Sequence, residues 1–292
     1  MKIAVIGPGA MGCLFSARFM KAGHKVYLID YRDDRINRLV KSGIKLDVEG
    51  DTLQHVFPNV SSTIPNGMDL ILVCTKAHTT GGLRFPPETP VMTLQNGLGN
   101  VEKLCDFVGS ARVLAGITLE AATHVNEGHT LHCGSGKTTF GAWTTCSHDK
   151  PLTLFESAGF EVEITDAPGQ VIWKKVAINS GINPLTALLN VNNGRLLEMN
   201  EIRQLMRDLV VEAAKVASTE GYRFDESLVE ITEKICLETS TNISSMLQDI
   251  RLGRKTEIEA ISGEIIRRAQ QAALPTPRTR VVYQLVRGLE SL

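Results

Sequence analysis

The 292-residue chain contains no run of about 18 consecutive apolar residues, so no segment reads as a membrane-spanning helix. Its N-terminus offers only Ile3 to Ile6 as an apolar run before glycines, which is too little for a secretory signal. It has no excess of either charge: 31 basic side chains face 32 acidic ones, a formal net charge of -1. Nothing in that balance favours nucleic acid or an anionic membrane as a partner. The six cysteines (Cys13, Cys74, Cys105, Cys133, Cys146 and Cys236) form no CxxC pair. They read as free thiols of a reducing cytoplasm rather than a disulfide framework or a zinc site. His124, His129, His132 and His148 lack helical metal-ligand spacing and paired carboxylates, so no metal is expected, and nothing places a catalytic partner beside His78. There is no repeat and no low-complexity segment. What remains, 43% hydrophobic and 22% charged, is the composition of a globular protein with one large or two ordinary domains.

The first half alternates strands and helices. Lys2 to Ile6 is a short β-branched run, followed at once by Gly7-Pro8-Gly9-Ala10-Met11-Gly12 and a helix from Cys13 to Ala22. Strand, G-x-G-x-x-G and helix in that order form a dinucleotide fingerprint. The glycines permit a tight turn and close approach of a diphosphate, which sits on the N–H groups of the helix start. The second strand, Lys25 to Ile29, ends in Asp30, 18 residues beyond Gly12, where a carboxylate accepts hydrogen bonds from the ribose of NAD. Arg32 and Arg35 follow closely and point the other way, toward a 2′-phosphate. Met68 to Thr75 and Pro90 to Leu94 are further buried strands. They run into Lys76 and into Gln95-Asn96-Gly97-Leu98-Gly99, at the strand ends where open α/β sheets bind ligands. From Arg112 to Asp166 the pattern reads as strands and turns that complete the sheet, antiparallel at its edge.

The second half reads as α-helical. Its key stretch is Ile172 to Ala187, apolar except for Lys175, Asn179 and Asn183 at i, i+4 and i+8. At ~100° per residue these three share one narrow helical face, where an ammonium and two carboxamides cost desolvation energy unless something binds them. Pro184 is expected to kink or break the helix there. Ile202, Leu205, Leu209, Ala213 and Val216 mark the next helix, with its apolar face read as core and the assembly left as monomer or homodimer. Asp225 is a candidate cap for a helix carrying Leu228, Ile231 and Ile235. Ser or Asn at the head of Asn242 to Asp249, and Thr256 before Ile258, Ile261 and Ile265, are candidate caps for two more. A last helix follows Pro275 and Pro277.

These pieces together resemble the ketopantoate reductase (2-dehydropantoate 2-reductase) family over nearly the whole length. The carriers are Gly7 to Gly12, Thr75-Lys76-Ala77, Gln95 to Gly99, Trp173-Lys174-Lys175 with Asn179 and Asn183-Pro184-Leu185-Thr186-Ala187, Asn242 to Asp249, and Thr256-Glu257-Ile258. The resemblance implies an α/β chain with a Rossmann-like dinucleotide-binding domain over 1–167. It also implies an all-α substrate domain of the 6-phosphogluconate dehydrogenase type over 168–292. It implies reduction of 2-dehydropantoate to pantoate in pantothenate and coenzyme A synthesis, with Lys175 as general acid. By the same resemblance Asn179, Asn183, Asn193 and Ser245 hold the ketopantoate, while Lys76, Asn96 and Glu257 contact cofactor or align the lysine. Gly7, Gly9, Ala10, Met11, Gly12, Asp30 and Arg32 complete the cofactor set. NADPH is the expected cofactor and NADH the second candidate, because Asp30-Tyr31-Arg32 stands where NADPH-using members commonly carry a basic residue. Two other readings compete. One is a related dehydrogenase for another small 2-keto or 3-hydroxy acid; the other is a cofactor-sensing protein without turnover.

Overall fold

The computed structural model describes residues 1–48, 53–77 and 84–292. His78 lies outside them. The described chain divides into two compact units: Met1–Gln95 with Asn100–Pro168, and Asn96–Gly99 with Gly169–Leu292.

The first unit is built on an eight-stranded sheet. Its strands are β1 (Lys2–Ile6), β2 (Lys25–Ile29), β5 (Asn59–Ser61), β6 (Leu70–Val73), β7 (Val91–Thr93), β8 (Val113–Thr118), β11 (Thr138–Ala142) and β12 (Val162–Ile164). They lie in the order β12-β11-β8-β7-β6-β1-β2-β5. From β5 to β8 the pairing is parallel, and β11 joins β8 antiparallel, so the sequence expectation of a reversed edge holds. β6 and β7 are buried along their whole lengths, as strands covered on both faces must be, and that is why they are unbroken apolar runs. The chain leaves β1 for β2 on one side and returns to β6 on the other, so β1 marks the point where strand order reverses.

The unit also contains a second, four-stranded sheet, for which the sequence pattern carries no signal. It consists of β3 (Ile44–Val48), β4 (Gln54–Val56), β9 (Ala121–Asn126) and β10 (His129–Gly134), in the order β4-β3-β10-β9. Of these, His129 to Cys133 in β10 is expected from the sequence to complete the main sheet, while β9 has no strand expected at its place. β10 does not complete it, because it alternates between buried and exposed positions, and β9 beside it is only partly covered. One-sided strands suit a sheet with one covered face. That face lies against helix α1 (Ala10–Lys21). With sheet on two sides, α1 buries seven of its residues, among them Leu14, Phe15 and Phe19. Phe15 and Phe19 pack with Phe155 and Phe160 at ring separations of 5.2–6.0 Å. A buried His132–Glu120 pair (2.6 Å), with Arg18 3.4 Å from the other ring nitrogen, ties α1 to β10. Helices α2 (Asp33–Ser42), α3 (Asn100–Val108) and α4 (Asp149–Ser157) complete the unit. α4 falls where only strands and turns were expected. Its buried Pro151, Leu154 and Phe155 have helical spacing.

The second unit is helical: α5 (Pro168–Leu189), α6 (Arg195–Glu198), α7 (Asn200–Thr219), α8 (Leu228–Glu238), α9 (Ser245–Arg251), α10 (Glu264–Gln271) and α11 (Pro277–Leu289). A π-helical turn, Glu259–Gly263, precedes α10. Ile178, Ile182 and Leu185 of α5 enter one core cluster with Leu196, Met206, Leu209, Cys236 and Val282. The expected break at Pro184 does not occur, and α5 runs through it. An interior proline costs ~3 kcal/mol. Burying three large aliphatic side chains on the opposite face contributes ~1.5–3 kcal/mol each, so burial wins. The cap of α8 is Ser227, whose hydroxyl accepts from Glu230 N, and not Asp225. α9 is capped by Ser244. Among the described residues no helix is long and apolar enough to cross a membrane, and no cluster of three metal-ligating side chains occurs.

Candidate active site

The glycine loop follows β1 directly, at the reversal of strand order, where doubly wound sheets bind nucleotides. Gly7 takes φ +97°, and a Cβ on Gly12 would lie 2.0 Å from the Gly7 carbonyl oxygen, so the turn closes only without side chains. A Cβ on Gly9 would meet nothing within 4 Å. Gly9 therefore borders open space, and it is also the N-cap of α1, with no side chain capping the helix start. The first-turn N–H groups, at Ala10, Met11 and Gly12, have no intrahelical acceptor and suit a diphosphate placed over Gly9. These residues therefore fit a dinucleotide.

Asp30, at the end of β2, is buried at 3% exposure. Arg35 grips it with Nη2 to Oδ1 at 2.9 Å and a second, shorter contact from Nε to Oδ2, while Arg32 N donates to Oδ1 at 3.3 Å. The Arg32 guanidinium turns away to Asp34, at 3.2 and 2.7 Å, and is exposed. The basic side chain beside Asp30 is thus Arg35. Lys76 is half-buried just beyond β6, where Gln95 Nε2 donates to Thr75 O at 2.6 Å and joins the ends of β6 and β7.

In the second unit, the unbroken α5 keeps Lys175, Asn179 and Asn183 on one face, with successive Cα atoms ~6 Å apart along the axis. Lys175 and Asn179 are half-buried and Asn183 is buried. Trp173 anchors the other side of the helix, 2% exposed, with Nε1 donating to Glu220 Oε2 at 3.2 Å. Lys174 reaches outward to Glu226 at 3.1 Å. Burial pushes the Lys175 ammonium down to about 8, and the Glu257 carboxylate works against that fall. Glu257 is therefore within electrostatic reach of Lys175. It also accepts a hydrogen bond from Asn96 Nδ2 at 3.1 Å. Asn96 is held by its own segment: Leu98 N donates to Ala260 O at 2.7 Å in the π-helical turn. Gly97, at φ +89°, makes this approach possible, since a Cβ there would lie 2.5 Å from Ala260 Cβ. π-turns of this kind often mark functional positions.

Asn193 and Ser245 come from connections. Asn193 N donates to Asn242 O (3.1 Å) and its Nδ2 to Thr239 Oγ1 (2.9 Å), which fastens the segment before α6 to the one before α9. Its Oδ1 is buried without a hydrogen-bond partner among the described residues. Ser245 is exposed in the first turn of α9. Its neighbour Ser244 caps that helix and accepts from Thr186 Oγ1 of α5 at 2.7 Å. The structure therefore joins Asn96 to Glu257, which is in electrostatic reach of Lys175, and ties the α9 start to α5. The sequence offered no signal for the Thr186–Ser244 and Asn96–Glu257 bonds.

The first unit carries a glycine loop at the reversal point of a parallel sheet, and the second unit carries an ammonium and carboxamides on one helix face; each is a feature of the nicotinamide-dinucleotide oxidoreductases. Comparison with known proteins agrees. Residues 3–145 match the family Ketopantoate reductase PanE/ApbA, and residues 169–290 match Ketopantoate reductase PanE/ApbA C terminal. The 2-dehydropantoate 2-reductase of Halobacterium salinarum is 31% identical, covering 98% of each chain. The ternary structure of D-mandelate dehydrogenase with NADH and anilino(oxo)acetate superposes with a TM-score of 0.92 at 26% identity, over 100% of this chain and 99% of that one. A PanE/ApbA family ketopantoate reductase from Ralstonia eutropha JMP134 gives 0.90 at 29%, with the same coverage. The chain belongs to the ketopantoate reductase family.

Proposed function

We propose that the protein reduces 2-dehydropantoate to pantoate with a reduced nicotinamide dinucleotide, serving pantothenate and coenzyme A synthesis in the cytoplasm. The observation that carries this reading is Lys175, half-buried on the polar face of α5 with Glu257 in electrostatic reach. When bound, the nicotinamide supplies the hydride that the substrate's carbonyl carbon accepts. The chain must then stabilise the negative charge growing on the carbonyl oxygen and deliver a proton to it. An ammonium aimed at that oxygen does both, because its attraction strengthens as the charge develops. A lysine with its pKa pushed down to about 8 by burial is still mostly charged at neutral pH, yet gives up its proton far more readily than an ordinary lysine. Glu257, steadied by Asn96, orients the ammonium. Asn179, Asn183 and Ser245 are neutral donors for the substrate carboxylate and hydroxyls, so they leave the lysine's charge undiminished. The unpartnered Oδ1 of Asn193 suits a substrate hydroxyl as donor.

For the cofactor, we favour NADPH with NADH also used. The Arg35 guanidinium beside Asp30 can pair with a 2′-phosphate, while Asp30 can bind ribose hydroxyls. Gly7, Gly9 and Gly12 hold the diphosphate, Lys76 and Asn96 touch the nucleotide, and Arg32 lies on its rim. A second reading has one specific support, the close likeness to D-mandelate dehydrogenase: a neighbouring bulkier 2-keto acid as substrate. Following NADPH and NADH absorbance with 2-dehydropantoate and with aryl 2-keto acids tests both readings. Faster turnover of the aryl acids replaces the first by the second, and no turnover of any of them refutes both.

A further inference from the structure

Glu290, at the end of α11, holds a buried carboxylate that the chemistry above does not use. Its side chain is 8% exposed. Oε1 accepts from Thr256 N at 2.7 Å and from Thr256 Oγ1 at 2.6 Å, while Oε2 takes Arg287 Nη1 at 3.0 Å. Arg287 also approaches Glu259 at 3.4 Å, and Tyr283 donates to Glu259 at 2.7 Å. Thr256 is itself buried, and its Oγ1 accepts from Ile258 N at 3.1 Å. The residues on both sides of Glu257 are therefore pinned, one by Glu290 directly and the next through the Thr256 hydroxyl. Burying a carboxylate is costly unless its lone pairs are filled, and hydrogen bonds to an ionised acceptor are about twice as strong as neutral ones. A clamp of this strength on the residue next to Glu257 leaves the Glu257 backbone little freedom.

We propose that Glu290 is a positioning residue: by clamping Thr256 it fixes the Glu257 carboxylate in its hydrogen bond with Asn96, within electrostatic reach of the Lys175 ammonium. The inference rests on the reading of Lys175 as the proton donor, but its test does not need turnover. Lysine labelled with 13C at Cε is titrated by NMR in the ligand-free protein, with the Lys175 signal identified by its loss in Lys175→Ala. Glu290→Gln and the near-isosteric Thr256→Val should each lower the Lys175 midpoint by ~0.5–1 unit, because a displaced Glu257 supports the charged form less. Thr256→Val changes no charge, so it separates the clamp from the direct field of Glu290. In a Glu257→Gln background both variants should have no further effect. In steady state, the same variants should lose ~3–10-fold in kcat/KM above the midpoint and little at pH 6. Unmoved midpoints in both variants, or an equal shift from Glu290→Gln in the Glu257→Gln background, overturn the proposal. A Lys175 signal that moves as proposed without any 2-keto acid turnover would overturn only the functional reading.

Discussion

Replacing Lys175 by alanine should lower kcat by ~10²–10⁴, the usual loss for a general acid, or ~2.7–5.5 kcal/mol of barrier. The structure adds a pH signature. The lysine's proton affinity is lowered to about 8 by burial. The charged form is the competent acid, so activity is full below that value and lost as pH rises through it. kcat/KM in wild type should therefore fall toward tenfold per unit above pH ~8, where an ordinary lysine would hold its rate beyond pH ~10. In Lys175→Ala the residual rate should show no such limb. Lys174 is the control. Its ammonium pairs with Glu226 across solvent, with side chains 42% and 71% exposed. Such pairs contribute ~0–1 kcal/mol to stability, and nothing links this one to the site. Lys174→Ala should keep kcat within about twofold and preserve the limb. The assay varies 2-dehydropantoate at excess NADPH from pH ~6 to ~10, read by absorbance, so that kcat and kcat/KM are both obtained. A limb that survives Lys175→Ala, or a crippling Lys174→Ala, would refute the assignment.

Glu257→Gln should move the same limb to lower pH, by ~1–3 units, since an opposite charge in reach raises a lysine's proton affinity and its loss lets burial act alone; an unmoved limb would mean that Glu257 does not face the reacting ammonium. Asp30→Ser should raise the NADPH/NADH ratio of kcat/KM and Arg35→Ala should lower it, whereas Arg32→Ala, whose guanidinium is engaged by Asp34, should change it less. A ratio set by Arg32 instead would show that the Asp30–Arg35 pair is structural. Gly97→Ala should destabilise the protein by ~1–3 kcal/mol in a melting experiment, because its φ is +89° and its Cβ would strike Ala260. Gly9→Ala, with nothing within 4 Å, should leave melting nearly unchanged yet weaken dinucleotide binding measured by calorimetry, and unaltered binding would place the diphosphate elsewhere.

What the sequence determined by itself is contiguous. Gly7 to Gly12 between a β-branched strand and a helix can be read because five or six neighbouring residues dictate the turn. Lys175, Asn179 and Asn183 can be read because helical periodicity alone puts them on one face. Features that weigh local preference against distant packing were not readable. Pro184 predicted a break, yet α5 continues because Ile178, Ile182 and Leu185 are buried on its other side. β10 reads from its sequence as more of the main sheet, but which sheet a one-sided strand joins depends on the helix that covers it. The choice of Arg35 over Arg32 at Asp30 rests on side-chain direction at the start of α2, which residue types do not encode. Asn96 and Glu257 are 161 residues apart, and Thr256 and Glu290 are 34 apart. Hydrogen bonds over such separations carry no sequence period. They form only when the folded core has already brought their backbones together, so the surroundings of Lys175 were decided by tertiary structure.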